Sequence, residues 1–469
     1  MAQVSGQLRQ LEPSRILDIE LSAPLPRVST PEAAGASRYR RASCLVRLHT
    51  TPLGLLDIDL VPPGSRAEGV PGDSAADDEA SRDHLREQIW RQLGSEIRAH
   101  LANDGLPVPD LLTPEGLPAP ANPPCLAERE AILASALPVS IVVATRDRPS
   151  SLRVCLDSLL DLDYPNYEVL VVDNAPTTED TRALVCKTDL VDRVSYIREN
   201  RRGLAAAHNC GMGAAQGKVI AFTDDDVTVD RHWLLELVRG FRRAERVACV
   251  TGLIVPGELE TPAQILAEAL WGLGKGFDER VFDGASHGGD PLYPYAAGKF
   301  GSGANMAFNA AVLRALGGFD PNMGIGTAAR GGDDLSAFFT VIATGHRLVY
   351  NPRAVVRHRH HPQYAALRHQ AFSYGVGLTA YLTKTAVDDP RRLLQLARLR
   401  RPGLRRALDP RPRMGASQAS RALPGLARAE RLGMLYGPGA YAWSRLNGRL
   451  GKQARPLRRP SMAIELPAN

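Results

Sequence analysis

Paired cysteines are missing from this sequence. Its six cysteines, Cys44, Cys125, Cys155, Cys186, Cys210 and Cys249, lie far apart, and no two form a C-x-x-C pair. That spacing argues against a zinc ribbon and a disulfide framework, and it predicts reduced thiols in a cytoplasmic protein. Long apolar runs are also absent: no window approaches ~18 consecutive apolar residues, so no membrane-spanning helix is expected. The opening stretch MAQVSGQLRQLEPSR lacks a basic-then-apolar pattern, and no signal peptide is predicted. Aromatic residues make up only 6%, yet an apolar content of 44% is ordinary for a globular chain and sufficient for a sizeable core. No nucleic-acid-binding motif accompanies the net charge of +6.

What is present divides the 469 residues into four regions. Residues 1–106 read as a small α+β module. RILDIELS and CLVRLHTTPLGLLDIDLV alternate as strands do, with Pro52 and Gly54 marking a turn. The segment RAEGVPGDSAADDEAS reads as a flexible loop. After it, Leu85, Ile89, Trp90, Leu93, Ile97 and Leu101 recur at helical spacing, with Ser81 as the N-cap and Gly105 past the end. Residues 107–136 are proline-rich and favour an extended spacer over a packed element. Residues 137–369 alternate short β-rich runs (VSIVVAT, YEVLVVDN, VSYIREN, KVIAFT) with helical stretches, which predicts α/β architecture built on a parallel sheet. Ligands of such sheets bind beyond the carboxyl ends of the strands, where the polar residues sit here. Residues 370–469 are helical and basic. Between Arg391 and Arg413 stand nine arginines, one acid (Asp409) and six leucines, a composition suited to an anionic membrane surface or to a solvated tail.

The sharpest chemical feature is Asp224-Asp225-Asp226, directly after VIAFT. Three adjacent carboxylates repel one another, and a hard divalent cation such as Mg²⁺ or Mn²⁺ is a natural counter-charge. A solvated acidic loop, or a cap on the helix that follows, accounts for the same three residues.

The motifs PVSIVVATRDRP, VLVVDN, NRRGLAAAHNCGMGAAQGKVIAFTDDDV, GANMAFNAAVLRALGGFD and GGDDLSAFF resemble, in that order, those of family 2 glycosyltransferases, over about half of the chain. The resemblance implies a GT-A fold (a Rossmann-like mixed sheet flanked by helices), a nucleotide-diphosphate sugar donor, Mn²⁺ or Mg²⁺, and inversion at the anomeric carbon. By the same resemblance, Thr145 and Arg146 line the nucleotide pocket, Asp173 bonds the base, and Asn200, Arg202 and Gly203 approach the nucleotide. Asp224 and Asp226 fall on the D-x-D positions, with Asp224 near ribose and metal and Asp226 as direct ligand. Asp225 points elsewhere. His358 is the metal-binding histidine among His358, His360 and His361, although a basic strand end or a surface cluster explains those three as well. Asn305, after Gly301 and Gly303, bonds sugar hydroxyls.

Asp333-Asp334 matches the acidic pair that opens an acceptor-side helix, with Asp334 as general base and Asp333 second. Here the family's first acid, usually Glu, is Asp333, and a later acidic position is Ser336. A glycan, a lipid-linked molecule or a small molecule is the acceptor class, nucleic acid is not, and peripheral contact with the inner face of the membrane falls to the arginine-rich stretch. The rival reading is a catalytically silent nucleotide-sugar-binding or adaptor protein.

Overall fold

The computed structural model describes residues 11–26, 39–60, 74–117, 123–187, 193–285, 290–397 and 424–450. The N-terminal part is a three-stranded sheet. β1 (Ser14–Glu20) runs parallel to β2 (Arg41–Leu48), which pairs antiparallel with β3 (Thr51–Asp59). One long helix, α1 (Ser74–Asn103), packs on it. Its Leu85, Ile89, Leu93, Ile97 and Leu101 share a core with Ile19, Val46 and Leu56.

Two features differ from the sequence expectation here. The hairpin turns at His49 and Thr50, both at positive φ (50° and 63°), not at Pro52 and Gly54, which lie inside β3. Gly54 is there for packing: a Cβ would stand 2.4 Å from Leu93 Cδ2. The helix starts at Ser74 rather than after Ser81, because alanines and acids at 75–79 form and favour a first helical turn. The loop ahead of it, 61–73, lies outside the described residues.

The proline-rich segment is not a free spacer. Leu112 and Leu117 are buried in the N-terminal core, Leu117 N–H donates to Leu21 O (2.6 Å), and Leu25 N–H donates to Pro114 O (2.9 Å). Proline removes donors but not carbonyls or apolar neighbours, so such a segment still docks on a sheet edge. α2 (Pro124–Leu133) follows within the same stretch, and its buried Arg129 bonds the buried Glu236 at 3.1 Å.

Among the described residues, the main sheet has nine strands. β4 (Val139–Thr145), β5 (Tyr167–Asn174), β6 (Val194–Glu199) and β7 (Val219–Asp224) form its parallel half. Between them lie α3 (Pro149–Leu160), α4 (Asp180–Val185) and α5 (Leu204–Ala214). β8 (Val227–Val229), α6 (Trp233–Gly240), β9 (Val247–Pro256), α7 (Pro262–Trp271), β10 (Arg280–Phe282), β11 (Asn305–Asn309), α8 (Ala310–Ala315), α9 (Asp333–Ala343) and β12 (Arg347–His358) complete the unit. The order is β10-β12-β9-β11-β7-β4-β5-β6, with β8 on β12. Because β11 is antiparallel to both β7 and β9, the sheet is mixed, as expected of a Rossmann-like GT-A sheet flanked by helices. β4 is buried throughout, as expected for a central strand covered on both faces.

α10 (Tyr364–Asp388) and α11 (Pro424–Leu450) pack closely on each other, and both contribute residues to the cleft described below. Glycines make the approach possible: a Cβ on Gly433 would meet Phe372 O at 2.1 Å, and one on Gly437 would meet Thr379 Oγ1 at 2.0 Å. Among the described residues, no helix is long and apolar enough to cross a membrane. Most of the arginine-rich stretch, 398–413, lies outside the described residues.

The N-terminal sheet is tied to the main one by charge. Arg47 reaches Asp230 (2.9 Å) and Asp18 (3.2 Å), and Arg357 pairs with Asp18. Burial alone would raise the Asp230 pKa, but hydrogen bonds from His232 and the charge of Arg47 outweigh it and hold the group at about 2. A depressed folded-state pKa stabilises fully above the unfolded value near 3.8, and the contribution disappears as pH falls toward 2. Asp230→Asn is therefore predicted to cost about 2 kcal/mol at pH 7. The gap between wild-type and variant urea midpoints should narrow below about pH 4. An equal gap at about pH 7, above that window, and about pH 2.5, near its lower end, would contradict the assignment.

Candidate active site

The carboxyl ends of β4 and β7 and the start of α9 meet at one cleft. Thr145, Arg146, Asp224, Asp226, Asp334 and His358 all line it, and Arg202 and Asp333 do as well. Parallel β4 and β7 end side by side, with Ala144 opposite Asp224, so the acidic run emerges beside the Thr145–Arg148 turn. β12 delivers His358 from the other side, paired with Val227 across β8.

The three aspartates face different partners. Asp225 is almost fully buried and accepts hydrogen bonds from Thr145 Oγ1 (2.7 Å) and Arg148 Nη1 (2.7 Å). It is thus held by the protein's own donors, although it lines the same cleft. Burial raises its pKa to about 6 against the pull of Arg148. Asp226 Oδ2 accepts from Arg148 Nη2 at 2.8 Å, and its Oδ1 lies 3.5 Å from His358 Nε2, buried with no hydrogen-bond partner. For Asp226 burial is again opposed, here by His358 and Arg148, and the balance falls below the usual carboxylate value. Asp224 is pushed well above it, by burial and then by the neighbouring Asp226 and Asp225. An added cation would relieve that repulsion. The unpartnered Asp226 oxygen, the adjacent Asp224 and a histidine nitrogen make an O/N donor set that suits Mn²⁺ or Mg²⁺.

Asp333 and Asp334 open α9, whose N-cap is Gly332 at φ 80°. Asp334 is partly open to the cleft. Its Oδ2 accepts from Gly303 N–H (3.0 Å) and its Oδ1 from Leu335 N–H (2.8 Å). Asp333 points inward, 4% exposed, with Oδ2 3.7 Å from His208 Nδ1. Burial, then the charge of Asp334, lifts Asp333 to about 7, while burial drops His208 to about 3 and keeps its ring neutral. Burial raises Asp334 too.

Four expected site residues are not in the cleft wall. Asn305 is fully buried: its amide donates to Leu253 O (2.9 Å) and Ala354 O (2.8 Å) and accepts from Trp233 Nε1 (2.9 Å). Strand alternation sends it into the sheet, where every polar atom is used and none is left for a sugar. Asp173 is buried one residue before the end of β5. Its Oδ2 accepts from Tyr196 and its Oδ1 has no partner. The strand continues to Asn174, which lines the cleft instead and binds Gly203 N–H (2.9 Å) and Arg201 O (2.8 Å). Gly203, at φ 140°, serves as the turn into α5, and Asn200 is exposed and bonded to Arg198. Of the three histidines, His360 is buried against Glu268 (2.9 Å), with its ring edge-on to that of His358 at 5.0 Å between centroids.

The sequence reading missed Arg148, Asn174 and His208. Arg148 had a signal, an arginine in the turn after a strand facing an acidic strand end. His208 had none, since its role depends on Asp333 arriving from 125 positions away, as the two residue numbers show.

Residues 140–296 match the sequence model of glycosyl transferase family 2. Asp333, Asp334 and His358 lie beyond that match. A glucosyl-dolichyl phosphate glucuronosyltransferase of Haloferax volcanii is 27% identical over 229 residues, which span 47% of this chain and 69% of that one. A pre-mycofactocin glycosyltransferase of Mycobacterium tuberculosis is 27% identical over 229 residues, 48% of this chain and 43% of that one. The chain thus spans less than half the length of the mycobacterial relative. A mannosyltransferase of Pyrobaculum calidifontis, solved with GDP-Man and Mn²⁺, overlays 68% of this chain and 76% of its own at 17% identity and a TM-score of 0.40, too slight an overlap to bear on the site.

Proposed function

We propose that this chain, a member of glycosyltransferase family 2, moves a sugar from a nucleotide-diphosphate donor to an acceptor hydroxyl with inversion, using Asp334 as general base. The observation that carries the reading is the meeting of Asp224, Asp226 and His358 with Asp334 in a single cleft, from strands and a helix far apart in sequence.

Asp224, Asp226 and His358 would hold Mn²⁺ or Mg²⁺. A divalent ion there supplies neutralisation of the negative charge that a departing nucleoside diphosphate carries. The chain's own groups do the rest. Arg146, Arg202, Lys275 and Arg330 line the cleft and give it a cationic wall suited to a diphosphate. Arg148 keeps Asp225 and Asp226 in fixed positions. Asp334, anchored by the Gly303 and Leu335 amides, takes the acceptor proton as the hydroxyl attacks, and the new bond forms opposite the leaving group. The fixed carboxylate costs no reorganisation at that moment.

Titrating the protein with a panel of nucleoside diphosphates, with and without Mn²⁺, tests the donor half of this reading. Metal-dependent binding of one nucleotide is expected, and its identity names the donor class. Failure of every nucleotide in the presence of Mn²⁺ would remove the transferase mechanism and leave the adaptor reading.

The acceptor reading is a glycan, a lipid-linked molecule or a small molecule, with the protein at the inner face of the membrane. Two features support a lipid surface. α11 exposes Leu432, Leu435, Tyr436, Trp443 and Leu446, spaced for one helical side, and Tyr436 also lines the cleft. Arg428, Arg431 and Arg445 lie on the same helix. Co-sedimentation should show binding to vesicles rich in anionic lipid, weakened by Leu435→Glu with Trp443→Glu. Equal recovery in the supernatant with and without vesicles would remove the membrane from the proposal.

A further inference from the structure

A second cluster of donor groups lies in the N-terminal part, outside the transferase cleft. His49, His100, Asp104 and Cys125 bring one ligand atom each to within 4.8 Å of one another. The individual separations are narrower. His49 Nδ1 is 3.1 Å from His100 Nε2, and Cys125 Sγ is 3.7 and 3.9 Å from these two nitrogens. Asp104 Oδ2 is 3.4 Å from His49 Nδ1 and 3.5 Å from His100 Nε2.

Those distances are five of the six edges of a small tetrahedron, and the sixth, between Cys125 and Asp104, is within 4.8 Å. With Zn–N and Zn–O near ~2.0–2.1 Å and Zn–S near ~2.3 Å, a tetrahedral zinc centre has ligand–ligand edges of about 3.3–3.6 Å. The observed edges scatter around that range. The cluster is also enclosed: His49, His100 and Cys125 are buried and Asp104 is nearly so. Asp104 Oδ2 is buried without a hydrogen-bond partner, although two imidazole nitrogens stand beside it. A carboxylate left so in a closed interior is costly unless a cation completes it.

We propose that these four side chains bind one structural Zn²⁺. A thiolate and a carboxylate together balance its two positive charges, and two neutral imidazoles fill the remaining positions. No open position is left for substrate, so the ion acts on structure rather than on chemistry. The ligands come from three elements. His49 sits in the β2–β3 turn, fixed by Glu20, whose carboxylate accepts from the amides of His49 (2.9 Å) and Thr50 (2.8 Å). His100 lies in the last turn of α1, and Asp104 follows four residues on, facing the same side. Cys125 is in the first turn of α2. α2 in turn anchors to the transferase sheet through Arg129 and the buried Glu236 of α6. The ion thus ties the three-stranded sheet and its helix to the element that docks on the transferase unit.

Metal analysis of the full chain, purified without chelator and followed by Zn²⁺ reloading after chelation, tests this. About one zinc per chain is expected, retained in Asp226→Ala, which removes the proposed donor-site ligand, and lost in Cys125→Ser and His100→Ala. Zinc reloading should raise the melting temperature of the chelated wild type by a few degrees. Should the variants fail to fold, Co²⁺ added to chelated wild type gives the answer. A thiolate-to-cobalt charge-transfer band with strong tetrahedral d–d bands supports the site. Wild-type protein that takes up neither Zn²⁺ nor Co²⁺ in stoichiometric amount, cobalt bound without the thiolate band, or zinc persisting in a folded Cys125→Ser variant would each overturn it.

Discussion

Asp334→Asn is expected to lower the rate of sugar transfer about 10²–10⁴-fold while leaving nucleotide binding nearly unchanged. The substitution is close to isosteric, and the amide oxygen can still accept from Gly303 N–H, so the helix start should hold its shape. What disappears is the group that takes a proton. Asp333 cannot readily replace it: it is 4% exposed and lies against His208 and Gly324, whereas Asp334 is the less deeply buried of the two.

The pH profile separates the base from a merely structural carboxylate. Burial raises the Asp334 pKa, so kcat/KM should rise with pH through a value above that of an ordinary aspartate, as the base ionises. That limb should be missing from Asp334→Asn. Single-turnover transfer, measured beside nucleotide binding, reads both effects. A variant that keeps more than about a tenth of the wild-type rate would rule out Asp334 as the base.

The second large effect is at the other end of the cleft. Asp226→Ala is expected to weaken Mn²⁺-dependent nucleoside diphosphate binding by at least about 100-fold. Losing a supporting residue around a metal typically costs 10–100-fold, and a direct ligand should cost no less. Asp226 rather than Asp225 is singled out by its surroundings. Asp225 is held by Thr145 and Arg148, while Asp226 has a buried, unpartnered oxygen facing His358.

The readout must be the dependence on metal, not binding alone. Removing Asp226 frees one arm of Arg148, and that guanidinium could bind phosphate directly. Calorimetric titrations with and without Mn²⁺ should therefore converge in the variant. If Mn²⁺ still strengthens binding in Asp226→Ala as much as in the wild type, Asp226 is not a ligand. Asp225→Asn serves as the comparison, with metal dependence preserved.

Much of the transferase unit could be read in advance because its signals are local. VSIVVAT and YEVLVVDN are strands covered on both faces, and such strands need continuous apolar runs. An acidic run directly after an apolar strand marks a strand end, and strand ends of an open α/β sheet face the ligand. That reasoning sufficed for Asp224 and Asp226 as cleft residues, whereas Asp334 and His358 were expected there from the motif resemblance. It misjudged Asn305 and Asp173 because motif position says which residue is near a site, not which way it points. One residue of strand length decides that, since successive side chains alternate.

The N-terminal part shows the opposite balance. Its alternation and helical spacing were legible, but Gly54 was read as a turn when it is the contact point for Leu93. The proline-rich stretch was read from composition, which does not register that a few leucines and free carbonyls suffice to dock it.

The sequence by itself thus determined the sheet-forming runs, the acidic strand end, the acidic pair at a helix start and a set of motifs that resemble those of one glycosyltransferase family. Tertiary structure alone decided which carboxylates share the cleft, that Arg148 bridges Asp225 and Asp226, and that His49, His100, Asp104 and Cys125 converge. The physical reason is range. Strand and helix periodicity arises from neighbours a few residues apart, whereas a site is assembled by side chains that only chain folding brings within reach of one another.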